Sequence, residues 1–102
     1  MYIPKIKNGR VELYNERGCY QRSISSVSDA IFADINATQT LIVITRNNGR
    51  VELYNEYGCY QRSISSVSDA TSARWAGSDI VVTRNGGQVE LYNERGCYQR
   101  RL

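Results

Sequence analysis

The chain has no histidine, one proline, one methionine, one tryptophan and one phenylalanine, and no apolar run approaches the roughly 20 residues that a membrane-spanning helix needs. Without histidine, Ser-His-Asp and Cys-His catalysis are excluded, together with the commonest metal ligand and the side chain best suited to moving protons near neutral pH. The scarcity of proline removes collagen-like and proline-rich linker readings. Apolar and charged fractions of 41% and 23% are those of a globular protein and argue against disorder. Cysteine is present in an odd number: Cys19, Cys59 and Cys97 stand singly at equivalent places. That is the pattern of free thiols in a reducing compartment, so a cytoplasmic location is expected. Met1 to Asn8 carries Lys5, Lys7 and Pro4 with no apolar stretch behind them, which is not the pattern of an export signal. A chain of 102 residues buries a limited share of its surface and gains from a partner. A net charge of +3 permits weak attraction to nucleic acid without requiring it.

What is present is repetition. Asn8 to Ala30 reads NGRVELYNERGCYQRSISSVSDA, and Asn48 to Ala70 repeats it with one change, Arg17 becoming Tyr57. A third copy, GQVELYNERGCYQR, fills Gly87 to Arg100. A period of about 40 residues belongs either to propeller blades or to helical hairpin arrays. No segment shows the 3.6-residue apolar spacing of a helix, and the β-branched, tyrosine-rich segments are short and cut by glycine.

One unit predicts four short strands. Asp29 to Ile35 is mixed in polarity. Leu41 to Thr45, LIVIT, is continuously apolar, as a strand covered on both faces would be. Asn47-Asn48-Gly49 reverses the chain, because Asn and Gly tolerate positive φ. Arg50 to Tyr54 alternates Val51 and Leu53 with Glu52 and Tyr54. A turn from Asn55 to Gly58 leads into Cys59 to Ile64, and Ser65 to Ser68 links to the next unit. A sandwich or barrel shares this strand pattern, but near-identical units make identical neighbour contacts, which favours radial stacking. The expected fold is therefore all-β: a β-propeller of four-stranded antiparallel blades, with about 2.75 blades per chain. Residues 1–27 form a partial first blade lacking its innermost strand, 28–67 the second blade and 68–102 the third.

The segment IVITRNNGRVELYNEYGCYQRSI, Ile42 to Ile64, resembles an NHL-type propeller repeat at Asn47, Arg50, Val51, Leu53, Tyr54, Asn55, Gly58 and Ile64. Equivalent positions recur at Arg10, Val11, Leu13, Tyr14, Asn15, Gly18 and Ile24, and at Val89, Leu91, Tyr92, Asn93 and Gly96. Weaker similarity extends to WD-type propellers. Thr45 and Thr83 stand where that family often carries Asp. The resemblance implies a blade fold, most often with six blades, and no particular ligand; some NHL-like propellers bind RNA on a basic face.

Aligning the units sets Tyr2 to Lys7 against Ile42 to Asn47, so Pro4 falls at the position of Ile44 and Val82. A proline is tolerated there if the strand is an edge. Each blade has two apolar faces, and a three-blade wedge would leave both end faces wet. Two chains closing a six-bladed ring by homodimerisation is the natural solution. Val11, Leu13, Tyr14, Val51, Leu53, Tyr54, Val89, Leu91 and Tyr92 are expected to pack between blades.

Most reactive groups occur in every copy, so no unique catalytic constellation, metal site or cofactor site is expected and the chain is read as non-enzymatic. Residues that break the repeat point better to a ligand: Phe32, Asp34, Arg74 and Trp75, on innermost strands near the channel. Their bland alternative is simple variation, with an Asp34–Arg74 ion pair of little net value. On the outermost strands Tyr20, Arg22, Tyr60, Arg62, Tyr98, Arg100 and Arg101 combine aromatic and basic groups, which can stack bases and hold phosphates or simply protect an edge from aggregation. The leading functional reading is a binding or scaffold module with itself and an unidentified protein as partners. RNA or single-stranded nucleic-acid binding is the alternative, and glycan binding ranks below both because Trp75 is the only tryptophan platform.

Overall fold

The structure, a computed structural model describing Met1–Leu102, consists of eleven strands in three antiparallel sheets whose strands are neighbours in chain order. Blade 1 holds β1 (Ile3–Lys7), β2 (Arg10–Tyr14) and β3 (Tyr20–Ile24). Blade 2 holds β4 (Ala30–Ile35), β5 (Leu41–Arg46), β6 (Val51–Asn55) and β7 (Tyr60–Ser63). Blade 3 holds β8 (Ala70–Ala76), β9 (Asp79–Arg84), β10 (Val89–Tyr92) and β11 (Tyr98–Arg101). No helix is long and apolar enough to cross a membrane.

The turns follow from their residues. In each outer hairpin an asparagine, Asn15, Asn55 or Asn93, accepts with Oδ1 from the N–H groups two and four residues on. The glycine that closes the turn lies at positive φ, 87° at Gly58. The short amide side chain thus does the work of a backbone acceptor.

The first inner hairpin corrects the expected alignment. Its turn is Asn8-Gly9, both at positive φ, joining Lys7 and Arg10 as direct partners. The corresponding turns in blades 2 and 3 are one residue longer, Arg46 N–H donating to the Arg50 carbonyl and Arg84 N–H to that of Gln88. Pro4 therefore pairs with Leu13, as Val43 pairs with Leu53 and Val81 with Leu91. A shift of one residue turns every side chain of a strand to the other face. Lys5, not Pro4, stands where Ile44 and Val82 stand, opposite Glu12. Because Lys7 and Arg10 close a two-residue hairpin, bonding to β2 alternates through Lys7, Lys5 and Ile3. The nitrogen of Pro4 consequently faces the open edge of β1, where its missing N–H leaves no ladder bond unmade.

Two cores fill the spaces between blades. Between blades 1 and 2, Val11, Leu13, Ile24 and Val27 meet Ala30, Ile42, Ile44 and Tyr54. Between blades 2 and 3, Val43, Val51, Leu53, Ile64 and Val67 meet Ala70, Ala73, Ile80, Val82 and Tyr92. Each blade sends its Val-x-Leu pair forward and its tyrosine backward. Of the nine residues expected to pack between blades, Val11, Leu13, Val51, Leu53, Tyr54 and Tyr92 are buried. Tyr14, Val89 and Leu91 are only half-buried, because they lie on the two end faces, where no blade covers them.

Successive blades are also joined at the inner turns. Ala30 N–H donates to the Gly9 carbonyl across the boundary, and within blade 2 the Asn47 N–H donates to that of Asp29. Ala70, Gly49, Asn85 and Asp69 repeat this. Gly9 and Gly49 lie so close to Ser28 and Ser68 that a Cβ on either would overlap a backbone carbonyl, whereas a Cβ on Gly87 would meet nothing. All three have positive φ, so alanine at any of them strains the backbone by about 1–3 kcal/mol. Gly49→Ala should cost at least twice what Gly87→Ala does in urea unfolding, because backbone atoms cannot swing aside. Equal losses would show that the blade junction has room for a methyl group at Gly49.

Candidate functional site

The charged groups of the inner turns form a repeated cluster. Arg46 Nε donates to Asp29 Oδ1 at 2.7 Å and Nη1 to Glu52 Oε1 at 3.4 Å, while the Tyr54 hydroxyl donates to the same Glu52 oxygen at 3.0 Å. Arg84, Asp69, Glu90 and Tyr92 repeat the arrangement. Hydrogen bonding to Asp29 and Asp69 is the main cause that raises the pKa of Arg46 and Arg84 further above its ordinary value. The carboxylates are engaged in tying the inter-blade link to the next hairpin, an anchoring role rather than proton transfer. Blade 1 has Lys7 in the arginine's place, with Tyr14 still donating to Glu12 at 2.8 Å.

On the innermost strands, Asp34 Oδ2 accepts the Trp75 N–H at 2.9 Å and Oδ1 accepts that of Ile35 at 3.1 Å. Asp34 makes no ion pair with Arg74, contrary to the ion pair weighed above. The reason is the period of the strand. Asp34 pairs across its hairpin with Val43 and Arg74 with Val81, so both point forward from equivalent places and neither faces the other. Phe32 is half-buried and Arg74 exposed. Trp75 is half-buried and packs on the blade 2–3 core with its Nε1 buried and unpartnered, so part of its ring belongs to the packing.

On the outer rim, Tyr20, Tyr60 and Tyr98 are each 54% exposed. Their rings stand edge-on to Tyr14, Tyr54 and Tyr92, with centroids 5.6–5.9 Å apart. The hydroxyls of Tyr20 and Tyr60 donate to Ser23 and Ser63. Arg22 lies between the rings of Tyr2 and Tyr57, 5.6 and 5.5 Å from their centroids. The one difference between the two long copies thus supplies a cation–π partner across a blade boundary. In blade 3 Arg95 is the counterpart of Tyr57, and Arg62 instead donates to the Glu94 carbonyl at 2.7 Å. Arg100 and Arg101 are exposed. The three cysteines are free and exposed, and no group of three His, Cys, Asp or Glu side chains is gathered as a metal site would need.

Two shallow grooves lie between blades 2 and 3. One, of about 450 Å³, is lined by the inner turns at Asn47–Gly49, Ser68–Thr71 and Asn85. The other, of about 230 Å³, lies among Asn36–Thr38, Gly77, Ser78 and Glu94 at the opposite end. Neither gathers convergent reactive groups. The most distinctive surfaces are the end faces. Leu102 is 62% exposed, against 0% and 1% for its counterparts Ile24 and Ile64. Val81, Val89 and Leu91 are half-buried, and on the opposite flank Ile3 is 46% exposed. Sequence reasoning missed Val27 and Val67, the lone aliphatics of the serine-rich link and both buried; an apolar residue isolated in a polar link was the available signal.

Three radially related antiparallel sheets, packed face to face through duplicated cores, define a segment of a β-propeller. Among solved structures the chain is similar to BamB from Moraxella catarrhalis, with a TM-score of 0.71 at 17% identity over 97% of this chain. The chain spans about a third (34%) of the length of that protein. No family model matches the sequence, and no curated protein does. The likeness establishes the propeller fold; it does not single out the NHL type.

Burial, opposed by a Ser26 or Ser66 hydroxyl and reinforced by the Glu52 or Glu90 carboxylate, raises the phenol pKa of Tyr54 and Tyr92. Below the unfolded value of about 10 both states are protonated and stability is level. Above it the unfolded chain ionises first, so stability falls as pH rises toward the folded pKa. The thermal midpoint should decline above about pH 10, and a Tyr54→Phe/Tyr92→Phe variant should decline less steeply. Parallel pH profiles for the two proteins would mean that these phenols are not the alkaline weak point.

Proposed function

We propose that the chain is a non-enzymatic binding or scaffold module that completes a propeller ring, six-bladed as the NHL-type resemblance implies, by pairing with a second copy of itself. The observation that carries this reading is the duplication of the inter-blade core: two seams of matching composition and, at the chain's two flanks, the forward half of a third on blade 3 and a backward half on blade 1. A closed ring presents each surface twice, and a partner that engages both gains avidity without new contacts. Exposed free cysteines suit a reducing, cytoplasmic setting.

The engagement of Arg22 and Arg62 within the rim favours this role over nucleic-acid binding, which needs such groups turned outward. The partly packed indole of Trp75 likewise weighs against a glycan platform. Light scattering of the purified chain should give twice the 11.6 kDa of one chain at micromolar concentration. Retention on single-stranded RNA that weakens steeply with salt, with a mass of one chain throughout, would replace this reading with the nucleic-acid one.

A further inference from the structure

The two end faces are unlike each other, and this determines how a second copy can meet them. The forward face of blade 3 offers Val81, Val89, Leu91 and Leu102, the counterparts of Val43, Val51, Leu53 and Ile64 in the blade 2–3 core. The backward face of blade 1 offers Ile3 and Tyr14, the counterparts of Ile42 and Tyr54 in the blade 1–2 core. Beside them lies Gly18, beyond which a Cβ would meet nothing, whereas one on Gly58 or Gly96 would touch Ile24 Cγ1 at 3.6 Å or Ile64 Cγ1 at 3.7 Å. Leu102 of a second copy is the residue that corresponds to those isoleucines. In one respect the backward face departs from the pattern: Lys5 stands where the internal seams carry Ile44 and Val82, both fully buried. Its Nζ lies 5.9 Å from the centre of the Tyr14 ring.

We propose that blade 3 of one copy docks head-to-tail on blade 1 of the next, and that Lys5 keeps this seam weaker than the two seams inside the chain. The proposal rests on the ring reading above and adds its polarity and its control point. The occupant is a second copy, because the exposed half-seam repeats the chemistry of the seams it would complete. The contact is heterologous, so it closes only if the rotation returns to its start. Burying a lysine is costly unless its ammonium reaches water or a partner. On this face Glu12 stands directly across the strand pair, but it accepts from the Tyr14 hydroxyl and forms no salt bridge with Lys5. Closure therefore covers an ammonium that has no ion-pair partner and lacks the aliphatic contact that Ile44 and Val82 make elsewhere.

Sedimentation velocity over a concentration series tests both parts, with circular dichroism melts confirming that each variant folds. Lys5→Ile should tighten the dimer roughly tenfold per seam, about a hundredfold for a ring with two seams, each tenfold being 1.4 kcal/mol. Ile3→Asp and the pair Leu91→Asp/Lys5→Ile should each sediment as single chains, yet form a one-to-one heterodimer when mixed, since each retains the face that the other lacks. A dimer of unchanged affinity in Lys5→Ile would overturn the role of Lys5 and leave the ring reading intact. Single chains for every protein at every concentration would overturn both. Self-association of the Ile3→Asp variant alone would replace the head-to-tail seam by one joining like faces.

Discussion

A blade with two apolar faces is the constraint on which the rest of this structure depends. Antiparallel sheets usually keep one face for water, but here Val51 and Leu53 face one core while Tyr54, their near neighbour in β6, belongs to the other. No single blade can satisfy that alternation alone. Burial of aliphatic side chains, worth roughly 1.5–3 kcal/mol for each one fully removed from water, therefore arises between units rather than within them. Hydrogen bonds set the spacing; the Ala30 to Gly9 and Ala70 to Gly49 bonds fix how far one blade stands from the next. The radius of gyration, 12.7 Å, is close to the value of about 12.8 Å expected for a compact domain of this length, so stacking by this means yields a body as dense as one with a single core.

Much of this was legible in the sequence because the signals are local. Val-Glu-Leu-Tyr alternates at the period of a strand, and Asn and Gly mark each reversal, so strand identity and order could be read from a single unit. What was not legible depended on one backbone detail or on a partner distant in the chain. The length of the first inner turn, two residues rather than three, decides the register of β1 and hence the exchange of roles between Pro4 and Lys5. Nothing in the composition of Met1 to Asn8 distinguishes the two registers. The Asp34 bond to the Trp75 N–H spans 41 positions and joins a side chain to a main-chain group, which no pattern of side chains announces. Phe32, Asp34, Arg74 and Trp75 stand out in the sequence as departures from the repeat; what they touch was not readable.

Sequence identity between copies did not produce identical environments. Val11 and Val51 are fully buried while Val89, at the same place in the same tetrapeptide, is half-buried. The local sequence determines the strand; the neighbour determines the burial. Differences between the copies lie instead on the two inner strands of each blade, as where IFADI in β4 corresponds to TSARW within β8, and at Tyr57 on the rim. The constant outer strands build the stack, leaving the inner strands free to vary without disturbing it.

The handling of edges and faces separates two ways in which such a segment could meet another chain. Along the open edge of β1, Pro4 removes one outward N–H, and the Tyr2 N–H is taken by the Gln39 side chain. Those are the devices by which proteins discourage strand addition. At the other margin, the outer strands present Gln and Arg in every copy, again charged and polar. The faces are treated differently: Leu102, Val89 and Leu91 are left partly open, and their counterparts are the most deeply buried residues in the molecule. Blocked edges and an uncovered face favour, for the assembly proposed above, the stacking of blade on blade over the addition of strands to a sheet.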